Sequence, residues 1–204
     1  LTYGRREGVE SGRCIYLVGF SGAGKSTAAK LIGEALHWPV HDLDQVIVEC
    51  CGMTVPVIFQ TEGEPGFRSR ETDALNRVST SGQCVVATGG GTVVSQENRK
   101  IMARTGWIVC LEGHVRTLLA RIQRQGMKDP DLALRPMLAT AQPLNQIRAL
   151  KDSRQFAYSL SDWTVHTDRL TLQQVAAEVV RAVDILERSD HPRSIDDLVD
   201  CVHS

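Results

Sequence analysis

From residue 14 onward the chain alternates short apolar runs with longer stretches of helical spacing. The runs cover 15–18, Val40 with its neighbours, 85–87, 108–111 and 163–165, each of strand length. Between them, Ala28, Leu31, Ile32, Ala35 and Leu36 share one helical face, at spacings i, i+3, i+4, i+7 and i+8. Leu172, Val175, Ala176, Val179, Val180 and Val183 mark a second face, which opens on Thr171 with Gln174 three residues later as a capping box. Strands alternating with helices predict an α/β fold, an open and mostly parallel sheet covered on both faces. Two stretches break the alternation. Residues 123–131 (QRQGMKDPD) are polar, hold Gly126 and Pro130, and read as a surface loop. The chain from Ser189 onward holds four Asp and little apolar material, and reads as a tail or a linker. Residues 1–13, punctuated by Gly4, Gly8 and Gly12, read as a leader or linker, so the folded unit is expected over 14–188. No internal repeat is present.

Composition narrows the classes. A length of 204 residues with 42% hydrophobic and 23% charged positions suits one globular domain and argues against whole-chain disorder. The 23 Lys+Arg nearly balance the 24 Asp+Glu, for a formal charge of −1, which gives no support to a general nucleic-acid or anionic-membrane binder. No apolar run approaches the roughly 20 residues of a membrane helix. The opening LTYGRREGVESGR lacks the apolar segment of a secretory signal, and it begins on Leu rather than Met, as an excised or processed piece would. Cys14, Cys84 and Cys110 sit in or beside apolar runs, Cys50 and Cys51 are adjacent, Cys201 lies in the tail, and no C-x-x-C occurs. A reduced, cytoplasmic compartment is expected.

The strongest chemical signal is Gly19-Phe-Ser-Gly22-Ala23-Gly24-Lys25-Ser26, which fits G-x-x-x-x-G-K-[ST] and is followed by Thr27. An apolar strand precedes it and a helical pattern follows at once, the context the motif needs. Glycines let backbone N–H groups curl around phosphate oxygens at the positive end of the new helix. Lys25 would reach the β- and γ-phosphates of ATP, and the Ser26 hydroxyl would ligate Mg²⁺. Motors, GTPases and kinases share this loop. Later strands end in Thr88 with three glycines or in Glu112 rather than in Asp, and no [NT]-K-x-D occurs, which favours small-molecule kinases.

Asp42-Leu-Asp44 follows the second apolar run. In extended chain, residues i and i+2 share a face, so both carboxylates would point the same way. Asp42 could then hold Mg²⁺, directly or through water, and Asp44 could accept a proton from the acceptor hydroxyl. The plainer alternative is a solvated pair capping the helical stretch 46–51. Phe67-Arg68-x-x-Glu71 places a carboxylate on the apolar stripe of Phe67, Ala74, Leu75 and Val78, where it needs a partner. Paired to Glu71, Arg68 would be fixed to grip an acidic substrate; an exposed helix ion pair, with Arg70 competing for Glu71, is the alternative. Gly89-Gly90-Gly91 closes the third apolar run, where a ligand can approach backbone amides, unless it is simply a tight turn.

These motifs, with Arg135-Pro136 after the polar loop and Arg154-x-x-x-Tyr158, occur in the order found in shikimate kinases, and the resemblance runs from about residue 14 to residue 186. It implies a five-stranded parallel sheet of the nucleoside-monophosphate-kinase type, three-layered, with a mobile lid near 123–137 and a small helical substrate region. It also implies transfer of the ATP γ-phosphoryl group to the 3-hydroxyl of shikimate, within chorismate biosynthesis. By the same resemblance Asp44 holds the shikimate hydroxyl and Asp42 is a water-mediated Mg²⁺ acid. Arg68, Gly90, Gly91 and Arg154 contact the acceptor, with Gly89 beside them and Glu71 orienting Arg68. Gly22, Ala23, Gly24, Lys25, Ser26 and Thr27 bind the nucleotide, Arg135 is the lid arginine, either Arg121 or Arg124 lies beside adenine, and Arg169 belongs to an adenine loop. The tail lies outside the resemblance and could join a neighbouring pathway enzyme in a fused polypeptide. Two other readings remain open at this point: a kinase of another hydroxy acid such as gluconate, and a catalytically silent binding module.

Overall fold

Five short apolar segments pair side by side to build the sheet: β1 (Cys14–Val18), β2 (Val40–Asp42), β3 (Val85–Ala87), β4 (Gly106–Glu112) and β5 (Trp163–His166). All neighbours are parallel and the order is β2-β3-β1-β4-β5. The computed structural model describes residues 12–126 and 142–189. The readings made for residues 1–11, for most of the lid with Arg135 and Pro136, and for the tail with Cys201 fall outside the described residues.

β1 lies at the centre and is wholly buried, with Ile15 beside Val85 on one flank and Trp107 on the other. Its run of apolar residues without alternation is what a strand covered on both faces requires. The helices that cover it are α1 (Lys25–Leu36), α2 (Leu43–Cys51), α3 (Val55–Ser79), α4 (Gln96–Thr105), α5 (Val115–Gly126), α6 (Pro143–Asp152), α7 (Gln155–Ser159) and α8 (Leu172–Arg188), with a 3₁₀ turn at Thr92–Val94. α1 buries Ala28, Ala29 and Ile32, and α8 packs against it through a face that includes Val175, Val179 and Val183. Cys14, Cys84 and Cys110 are buried as small apolar residues. Among the described residues no single helix is long and apolar enough to cross a membrane.

Local signals account for the element ends. The capping box of α8 is formed: the Thr171 hydroxyl accepts the Gln174 N–H at 3.2 Å, and the Gln174 side chain accepts the Thr171 N–H at 2.8 Å. Thr171→Ala is expected to lower the unfolding free energy by about 1 kcal/mol. Urea denaturation checks this, and an unchanged midpoint would mean that packing on α1, not the cap, fixes the start of α8.

One expectation needs correcting here. The polar loop does not begin at Gln123, because α5 continues to Gly126. Leu118 and Ile122 are buried one turn apart, and Gln and Arg are good helix formers, so the last turn forms despite its polarity. The Phe67–Val78 stripe lies on a long, bent helix. α3 bends at Gly63 (φ 68°) ahead of Pro65, and the stripe occupies its second part.

All five strands point their carboxyl ends to the same edge. The chain leaves β1, runs to the outer β2, returns to β3 beside β1, and only then crosses to β4 on the far side. Ligands in open α/β sheets bind at such a reversal, and the phosphate loop, Asp42, the glycine triplet, Glu112 and Thr167 all lie along it.

Candidate active site

The phosphate loop joins β1 to α1. Gly24 caps α1 at φ 96°, a conformation that residues with a Cβ rarely adopt, and as a glycine it offers no side chain to the first N–H groups of the helix. Those donors and the positive helix end form an anion cradle. Lys25, the first residue of α1, is buried, and its ammonium donates to the carbonyls of Gly19 at 2.8 Å and Phe20 at 3.0 Å. The ammonium thus sits inside the loop, at the start of α1. Ser26 and Thr27 are exposed in the first turn, and Ala23 is buried behind it.

The paired aspartates differ from the expected shared face. β2 stops at Asp42 and α2 begins at Leu43, so Asp42 and Asp44 are not neighbours on one strand. The Asp42 carboxylate accepts the Asp44 N–H at 3.2 Å and caps α2, which turns the chain into a helix where continued strand was expected. Capping therefore falls to Asp42, and Asp44 lies exposed in the first turn of α2. Asp44 nonetheless comes to the glycine triplet: a Cβ placed on Gly89 would lie 3.4 Å from Asp44 Oδ1.

Glu71 is completely buried. Its Oε2 accepts from Arg68 Nη1 at 2.8 Å, and its Oε1 accepts from the Thr92 hydroxyl at 2.6 Å. Asn98 donates to the Thr92 carbonyl at 3.1 Å and is bonded to the Thr72 hydroxyl at 2.8 Å. Arg70 is occupied by Glu62, at 2.8 and 2.6 Å, so it does not compete for Glu71. The exposed Glu64 takes the other side of the Arg68 guanidinium, with Nη2 to Oε1 at 3.1 Å. Burial works against the Arg68 charge, but Glu71 and then Glu64 outweigh it and hold the group above its ordinary value.

The glycine triplet is where these elements meet. A Cβ on Gly91 would stand 2.7 Å from Arg68 Nη2, and one on Gly90 would stand 3.3 Å from the Ser21 hydroxyl of the phosphate loop. Only a residue without Cβ lets Arg68 lie this close to the Gly91 backbone. The Gly90 carbonyl accepts from Arg154 Nη1 at 3.1 Å and from the Tyr158 hydroxyl at 2.6 Å. Burial pushes the Tyr158 phenol well above its usual range, which keeps it a donor at neutral pH. A cleft of ≈ 340 Å³ opens between Glu64, Arg68, Thr72, Gly91, Ser153 and Arg154, within the range of small-molecule sites. A larger groove of ≈ 600 Å³ runs between the second half of α1 and α8. Its wall is chiefly aliphatic and holds none of these groups, so the smaller cleft is the candidate site.

On the other flank, Arg121 donates to the Thr167 hydroxyl at 2.9 Å and to the Thr167 carbonyl at 2.7 Å, just past β5. Arg124 and Arg169 are exposed. Among the described residues no three His, Cys, Asp or Glu side chains converge as a metal cage. Ser26 and Asp42 carry hard oxygen donors of the kind a divalent cation takes.

A cation-lined acid pocket beside a phosphate loop narrows the families, and one family model matches over most of the chain: that described as shikimate kinase, over residues 21–184. The chain belongs to the shikimate kinase family. A shikimate kinase of Symbiobacterium thermophilum is 39% identical over 167 residues, covering 81% of this chain and 93% of the relative. One from Tolumonas auensis is 37% identical over 175 residues, covering 85% of this chain and 98% of the relative. Among solved structures, a shikimate kinase from Acinetobacter baumannii in complex with shikimate is similar at a TM-score of 0.78 and 33% identity, covering 89% of this chain and 97% of that one. The chain is thus a phosphotransferase of this family, which uses ATP with a divalent metal.

The motifs named most of the residues that the structure brings together here. They missed the supporting layer. Thr92, Asn98 and Thr72 hold Glu71 and its neighbours in place, and Tyr158 shares the Gly90 carbonyl with Arg154. Only Tyr158 stood in a quoted motif; isolated Thr and Asn residues carry no pattern that separates them from surface polarity.

Proposed function

We propose that the described cleft binds shikimate and that this chain phosphorylates its 3-hydroxyl with ATP and Mg²⁺ in the cytoplasm, the kinase unit spanning residues 14–188. The observation that carries the reading is the Arg68–Glu71–Thr92 chain beside Arg154: two guanidiniums at one cleft, one of them locked by a fully buried carboxylate. A neutral polyol could not take the place of the exposed Glu64 carboxylate on Arg68, whereas an acidic acceptor can.

In this reading the shikimate carboxylate displaces the exposed Glu64 from Arg68 and is gripped there and by Arg154, while Glu71 keeps Arg68 aimed. The backbone at Gly89, Gly90 and Gly91 carries the ring, and Asp44 accepts the hydrogen of the 3-hydroxyl. The β,γ-phosphates lie over Gly22, Ala23, Gly24, Lys25, Ser26 and Thr27. Arg121, anchored on Thr167, faces adenine in preference to Arg124, and Arg169 flanks the same loop. Ser26 and Asp42 would hold Mg²⁺, which neutralises phosphate charge when bound. The bond from the shikimate O3 to γ-phosphorus forms as the bond from γ-phosphorus to the bridging oxygen breaks. ADP leaves with that electron pair, and the hydroxyl proton passes to Asp44 and then to solvent. Lys25 follows the migrating charge. Arg135 is proposed to meet it from the lid.

ADP release measured against a panel of acceptors tests this. Turnover with shikimate and none with gluconate is expected. Turnover with gluconate alone would install the hydroxy-acid alternative, and none with any acceptor the silent module. Gly91→Ala offers a finer test. The three atoms nearest its added methyl all belong to the Arg68 guanidinium, a movable group, so the protein should fold, while displacement of Arg68 raises the KM for shikimate about ten- to a hundredfold. An unchanged KM would show that Arg68 need not stand where it does.

A further inference from the structure

Lys151 is buried in the last turn of α6, and its ammonium forms an ion pair with the Glu112 carboxylate at the end of β4. The same ammonium donates to the Gln155 side-chain carbonyl at 3.0 Å, at the start of α7. Arg154 lies between these two tethered residues, and its own N–H donates to the Lys151 carbonyl at 3.0 Å. Beyond it, Arg154 Nη1 and the Tyr158 hydroxyl both reach the Gly90 carbonyl. The α6–α7 turn is therefore fastened to the sheet at two strand ends, by the ion pair at β4 and by two hydrogen bonds at β3.

We propose that the Lys151–Glu112 pair positions Arg154 for acceptor recognition, setting where its guanidinium stands against Gly90. This inference rests on reading Arg154 as an acceptor-binding arginine. α7 has only five residues, too few to hold its own geometry, so the turn carrying Arg154 must be fixed from outside. The two charged side chains are only 11% and 14% exposed. Such a pair is a poor source of stability once desolvation is counted: apolar residues in place of both partners would pack as well, whereas removing one alone leaves the other's charge uncompensated. What it adds is direction: an ammonium held by Glu112 and Gln155 at once admits one placement of the turn, where a methionine would admit several.

Steady-state kinetics with both substrates varied, on the full chain, test this. Lys151→Met is expected to raise the KM for shikimate about tenfold while leaving that for ATP within about twofold. Lys151→Arg, which keeps the cation, should recover most of the loss. Glu112→Gln, nearly isosteric, should reproduce the Lys151→Met defect and serves if that variant fails to fold; the double variant should be no worse than either single one. Equal changes in both KM values, additive losses in the double variant, or no recovery by arginine would overturn the positioning role. Arg154→Ala separates the two readings. If it leaves the KM for shikimate unchanged, the role of Arg154 itself falls and the positioning role with it; if it raises that KM while Lys151→Met and Glu112→Gln do not, only the positioning inference fails.

Discussion

Asp44→Asn is expected to lower kcat for shikimate phosphorylation on the order of 10²–10⁴-fold, the usual contribution of a general base. Affinity for ATP should change little. The residue lies in the first turn of α2 with its carboxylate near the Gly89 backbone, and asparagine keeps its size and its place at the helix start. What asparagine lacks is the ability to take the hydroxyl proton as the bond to phosphorus forms. Single-turnover measurements at saturating ATP isolate the chemical step. An unchanged rate would remove Asp44 from the mechanism, and a loss confined to nucleotide binding would reassign it to the metal.

Arg68→Met is expected to raise the KM for shikimate on the order of 10²-fold, with the KM for ATP unaltered. The magnitude follows from the partner as much as from the lost contact. Glu71 has no exposed surface, so without Arg68 it keeps only the Thr92 hydroxyl, and its charge stands against the incoming carboxylate. Some stability should be lost as well, about 1–3 kcal/mol. Arg68 is itself 31% exposed, so water can partly replace it at the rim, which keeps the loss below that of a fully enclosed pair. Thermal unfolding and shikimate kinetics on one preparation separate the two effects. A defect in ATP affinity alone would contradict the assignment.

How much of this was legible beforehand depends on how each element is held. β1, β3 and β4, buried on both faces, announce themselves as unbroken apolar runs; the edge strands β2 and β5 are partly exposed and were marked only by Val40 and by residues 163–165. α8 was readable too, because its stripe and its capping box agree. α4 was not: of its ten residues only Ile101 and Met102 are buried apolar side chains, and its start depends on Ser95 accepting the Asn98 N–H. α6 is similarly sparse, and its decisive contact joins Lys151 to Glu112 across 39 positions that no local pattern links. The Asp42–Asp44 geometry was misjudged for the opposite reason, since a real local signal was read in the wrong state. An Asp that can cap a helix and an Asp that ends a strand look identical until the N–H two residues on is placed. The supporting Thr92, Asn98 and Thr72 lie at separations that only the fold brings together.

The central claim is that one alcohol, opposite a gripped carboxylate, receives the γ-phosphoryl group. ³¹P NMR of the reaction of this chain with ATP, Mg²⁺ and shikimate tests it most directly. A single new phosphomonoester on the 3-hydroxyl, formed in step with ADP, is the result expected. ADP accumulating with inorganic phosphate instead, or phosphate attached at another ring oxygen, would contradict the account.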